Sequence, residues 1–228
     1  MYPIDALTAP RRDAGAGTVV RAVTLMTLIV VAAVLVACGQ GDVERADRAG
    51  ADTLVDTSQD AFWEALSSPC GQAFPGRLVV DRPDRDMLAG DEELIAHWVR
   101  CEDDLLHIAF HIGHDGGEGE WDRSRTWVLT RDERGIELRH DHRHADGTEE
   151  EETWYGGRTI DRGTPQEQWF LYEERRGPDG EPLGWRLEII PGERYTYGTI
   201  RGDDYTWRLD FDLSEPVPAP PAAWGHEG

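Results

Sequence analysis

From residue 77 to residue 213 the chain alternates apolar and polar positions with a period of two, and turn residues interrupt the pattern at regular intervals. The last segment shows it best. Tyr205, Trp207, Leu209, Phe211 and Leu213 take one face, and Thr206, Arg208, Asp210 and Asp212 take the other. Trp185, Leu187 and Ile189 alternate with Arg186 and Glu188 in the same way. Ten strands are predicted, over 77–81, 94–101, 105–112, 124–130, 136–142, 151–155, 166–173, 183–190, 194–200 and 205–213. Their links are short, as at Pro178-Asp179-Gly180, Pro191-Gly192 and Gly202-Asp203, so sequential strands should pair as antiparallel hairpins. Strands with one dry and one wet face, joined up and down, close most simply into an all-β barrel without exposed edges. A two-sheet sandwich is the alternative.

The rest of the chain has other periods. Ser58 can cap a short helix through Leu66, with Phe62, Trp63 and Leu66 on one side, and Pro69-Cys70-Gly71 ends it. Residues 39–57 are rich in Gly, Ala, Asp and Arg and read as a flexible tether. Residues 215–228 contain Pro-Val-Pro-Ala-Pro-Pro, which excludes a strand, and leave Trp224 either docked on the barrel or free. At the other end, Arg21–Cys38 is an apolar run shorter than a bilayer span, with a positive flank and small residues before a cysteine. The domain reading is a leader over 1–37, a tether over 38–57, a barrel over 58–214 and a tail over 215–228.

Charge narrows the partners. The net charge is −22, every basic residue is Arg, and removal of residues 1–37 leaves −23. Such a surface repels nucleic acid and anionic lipid headgroups, so membrane attachment has to come from acyl chains. In an exported chain Cys70 and Cys101 are expected to form a disulfide. The start of the first strand lies beside the end of the second in an antiparallel pair, which is where these two cysteines fall.

The candidate chemistry lies at 124–157. Ile136, Leu138, His140, His142 and His144 share a parity. If the Ile/Leu side faces in, His140 and His142 line the interior, about 7 Å apart along the strand. With His114 as a third donor they form a candidate zinc or copper site. His107 and His111 have the opposite parity. The plainer expectation is that these histidines, Arg139 and Arg143 pair with the acidic run Glu149–Glu152. Arg125 shares parity with Trp127 and is the candidate to orient a ligand carboxylate beneath an aromatic lining. No phosphate loop, nucleophile elbow or HExxH helix is present, and no catalytic residue is assigned.

Three resemblances add to this. Leu35-Val36-Ala37-Cys38 resembles the lipobox of bacterial lipoproteins, which implies lipidation of Cys38 and a place in the cell envelope, at the outer membrane in a Gram-negative cell. Ser124–Trp127, His140–Gly147, Tyr155–Gly157 and Pro220–Gly225 resemble motifs (SRTW, HDHRHxDG, YGG and a Pro-Pro-x-x-Trp-Gly tail) of a family of uncharacterised secreted bacterial proteins. That resemblance implies a fold unit and no reaction. In strand count and amino-terminal helix the domain is similar to calycin-type barrels, which implies binding of a small apolar or amphipathic ligand. A surface or assembly module with a filled interior, and a histidine-based metal-binding protein or metalloenzyme, are the alternatives.

Overall fold

The computed structural model describes residues 57–82, 88–114 and 120–226; the leader, Cys38 and the tether up to residue 56 lie outside the described residues. Helix α1 spans 57–67. Ten strands follow: β1 (Ala73–Val80), β2 (Glu93–Glu102), β3 (Leu105–Gly113), β4 (Trp121–Asp132), β5 (Gly135–His142), β6 (Tyr155–Thr164), β7 (Glu167–Arg176), β8 (Pro182–Ile190), β9 (Arg194–Arg201) and β10 (Asp204–Asp212). Each pairs antiparallel with its neighbours in sequence, and β1 pairs with β10, so the sheet is a closed up-and-down barrel. Among the described residues no helix is long and apolar enough to cross a membrane.

The alternation places the core as the sequence implies. Leu106, Ile108, Phe110, Leu187, Ile189, Leu209 and Phe211 all face the buried interior. Two ends of the barrel result. The starts of β1, β3, β5, β7 and β9 lie at one end, and α1 closes it by burying Phe62, Trp63 and Leu66. Arg131 on β4 holds the helix from outside, pairing with Asp60 and stacking on the Trp63 ring 5.2 Å away. The predicted cap is corrected: the helix already includes residue 57, so Ser58 sits inside it, and its buried Oγ has no hydrogen-bond partner among the described residues.

Two strand predictions also shift. β1 begins at Ala73, not at 77, because Pro75 stands early in the strand opposite Ile95, where its missing N–H is tolerated, and Gly76 lies directly against the Phe211 ring. β6 covers 155–164 in place of 151–155. The acidic run 149–152 belongs to the preceding turn, and Trp154, with φ of 58°, swings the chain into the sheet.

Cys70 and Cys101 are bonded, with Cα atoms 6.1 Å apart, across 31 residues of sequence. On the chain-entropy model a loop of this length stabilises by roughly 3–4 kcal/mol. The double variant Cys70→Ala/Cys101→Ala is expected to lose about that much in a urea unfolding series, with the barrel still formed at low denaturant.

The C-terminal tail folds back instead of fraying. Val217 bridges to Ala73, the Trp224 N–H donates to the Arg123 carbonyl, and Arg123 Nη1 donates to the Ala222 carbonyl. The tail therefore crosses the outer face from β1 to β4 and buries Ala223. It reaches β5, where His226 Nε2 lies 2.8 Å from Asp141 Oδ2.

Candidate functional site

Among the described residues, the end of the barrel opposite α1 opens into a cavity of about 650 Å³. Its position follows from side-chain size along the inward face. Near the helix, Trp98, Tyr195, Phe211 and Leu106 fill the bore completely. Toward the other end the lining includes smaller residues, Thr199 and Thr153 among them, which leave space. The floor is a pile of rings. Trp127 stacks on Phe110 with centroids 5.2 Å apart and on Tyr197 with centroids 4.2 Å apart.

His140 and His142 do face inward, as the parity of β5 requires, and both line the cavity. Their roles differ. His140 Nδ1 lies 3.0 Å from the Tyr155 carbonyl, which can only accept, so Nδ1 carries the proton. Nε2 then accepts from the Tyr197 hydroxyl at 2.6 Å. This bond ties β5 to β9 across the bore. Burial pushes His140 down to about 3 and raises Tyr197 well above the usual phenol value, so both stay neutral at neutral pH.

With both nitrogens of His140 engaged and His114 exposed beyond the end of β3, the candidate metal set His140, His142 and His114 is not assembled. Among the described residues no three His, Cys, Asp or Glu side chains converge as metal ligands. His144 is exposed in the turn after β5.

His142 stands higher, with Nε2 3.3 Å from the Tyr155 hydroxyl and Nδ1 3.8 Å from Glu150 Oε2. Burial lowers its pKa, and the nearby Arg125 lowers it further. The expected pairing with the acidic run is therefore partial: Glu150 approaches His142 and Glu149 lies 3.2 Å from Arg143, whereas Arg139 pairs with Glu137 on its own strand.

Arg125 is opposite His142 in the β4–β5 register and points into the cavity, half-buried. Its Nη1 donates to Asp122 Oδ2 at 2.6 Å and to Ser124 Oγ at 2.7 Å. These contacts fix the guanidinium at the wall. Arg82, Arg175 and Arg201 also line the mouth, as do Glu150 and Glu152. Four arginines beside two glutamates give this opening more basic than acidic lining residues, in a chain of net charge −22. Arg82, Arg175 and Arg201 escaped the sequence reading because they come from the ends of strands β1, β7 and β9, which converge only once the barrel closes.

No family model, curated protein or solved structure matches the chain, which leaves the barrel's own residues to carry the functional reading.

Proposed function

We propose that this is a cell-envelope lipoprotein whose barrel binds one small amphipathic molecule. The apolar part lies on the Trp127–Tyr197 floor, and an anionic group lies against Arg125. The observation that carries this reading is the cavity itself. Its volume of about 650 Å³ is in the range that encloses a drug-sized molecule, and it combines aromatic walls with a few fixed polar groups. A filled interior would favour an assembly module acting through its outer surface, and this interior is filled only at the helix end. Attachment through acyl chains on Cys38 suits a domain whose net negative charge gives it no electrostatic affinity for a bilayer.

The test uses two fluorescent probes of similar size. Anionic 1-anilinonaphthalene-8-sulfonate and neutral N-phenyl-1-naphthylamine are both expected to bind once per chain. Arg125→Gln is expected to weaken the anionic probe about tenfold, the cost of one charged hydrogen bond, and to leave the neutral probe within a factor of two. Equal losses for both probes would remove Arg125 from the site. Failure of both to bind would remove the cavity.

A further inference from the structure

Outside the cavity a second pair of imidazoles is placed where outward side chains ordinarily meet water. On β2 Leu94, Ala96 and Trp98 face the core, so Ile95 and His97 face out; on β3 Phe110 and Ile112 face in, and His111 faces out. Yet His111 is 0 % exposed, and its outward neighbours Ile95 and Ala109 are buried with it. The tail crosses this side between Ala73 and Arg123, and the Trp121 ring stands edge-on to His111 with centroids 6.3 Å apart.

Ile95 opposes His111 and Ala109 opposes His97, so the two histidines are diagonal neighbours across the β2–β3 ladder. Their ring centroids are 6.1 Å apart, with planes inclined by 36°. Neither nitrogen of His111 has a hydrogen-bond partner among the described residues, and neither does Nδ1 of His97. All three atoms are buried. Buried polar atoms without partners are rare in folded proteins, and each one calls for a water, an ion or some other explanation.

We propose that His97 and His111 hold a single copper(I) ion between their imidazole rings. Metal–imidazole nitrogen distances of about 2 Å put two ring centres roughly 6 Å apart when the ion sits in line between them. Imidazole suits zinc, copper and nickel alike, so the number of donors decides among them. Structural zinc takes four ligands, and no third His, Cys, Asp or Glu joins this pair among the described residues. Copper(I), a closed-shell monovalent ion, is satisfied by two neutral nitrogens in line. Burial lowers the pKa of both rings, so both are neutral at neutral pH, the form that coordinates. The site lies on the outer face and is independent of the ligand cavity.

The test is a titration of the full chain with copper(I) in oxygen-free buffer, in competition with a chromophoric copper(I) chelator. The chain carries Cys38→Ser so that no free thiol competes. One equivalent is expected to bind. His97→Gln and His111→Gln are each expected to weaken binding at least tenfold, while His114→Gln and His144→Gln leave it unchanged. X-ray absorption of the loaded chain is expected to show two nitrogen ligands in line, a readout that does not depend on any variant folding. Absence of copper binding overturns the assignment. So does retention of the ion by His97→Gln, a replacement at a residue that is only partly buried. Loss of copper on His142→Gln or His226→Gln in place of His97→Gln would move the ion to another histidine pair and overturn it equally.

Discussion

Trp98→Ala is expected to cost about 3–5 kcal/mol and to lower the melting temperature by roughly 10 °C or more. Trp98 is fully buried, meeting Phe74 and Tyr195 edge-on at 5.9 and 5.3 Å. Its indole N–H also donates to the Leu66 carbonyl at 2.8 Å, satisfying a backbone acceptor near the end of α1. One side chain thus joins the helical closure to the wall of the barrel. Trp98→Phe separates the two contributions. It keeps much of the apolar contact, loses the bond to Leu66, and is expected to cost about 1–2 kcal/mol. Thermal melts followed by circular dichroism measure both. A smaller loss for Trp98→Ala than for Trp98→Phe would mean that α1 is not held as described.

The second large effect concerns Gly156 and Gly157. A Cβ on Gly156 would lie 1.8 Å from the Leu138 carbonyl oxygen, and one on Gly157 would lie 2.0 Å from the Leu171 carbonyl oxygen. Both obstacles are backbone on the neighbouring strands β5 and β7, which cannot rotate away. Gly156→Ala and Gly157→Ala are each expected to destabilise by about 3 kcal/mol or more, at or beyond the upper end of ordinary overpacking. They should loosen β6 first, seen as faster amide exchange at Tyr155–Thr159. Gly180→Ala is the control. Gly180 has open space around it and only its φ of 82° to lose, so about 1 kcal/mol is expected. Equal effects at Gly156 and Gly180 would show that close strand approach is not what the glycine pair provides.

These glycines also mark where the sequence stops being legible. Strands such as β10 and β8 announce themselves, because one face is dry and the period-two pattern is complete. β6 (YGGRTIDRGT) has almost no apolar alternation, and its pairing depends on absent side chains at Gly156 and Gly157. Attention therefore falls one segment early, on the acidic run that forms the turn. The inward direction of His140, His142 and Arg125 follows from parity with Ile136, Leu138 and Trp127 once a closed barrel is assumed. What parity cannot supply is contact across the bore. The His140–Tyr197 bond joins residues 57 apart in sequence and turns a candidate metal ligand into a strut. The His97–His111 pair stays hidden for a different reason. Opposite parity to the core marks His111 as exposed, and only the returning tail, whose docking the Pro-rich composition leaves open, crosses that side of the barrel.

The binding barrel is tested most directly by a native mass spectrum of the full chain extracted in mild detergent, beside the variant Thr199→Trp. Thr199 lines the cavity next to Trp185, and an indole there fills much of the space. A binding barrel predicts one non-covalent organic adduct of several hundred daltons on the wild-type chain and none on the variant. An adduct carried equally by both, or a bare wild-type mass that no added 1-anilinonaphthalene-8-sulfonate increases, would contradict a cavity that holds a ligand.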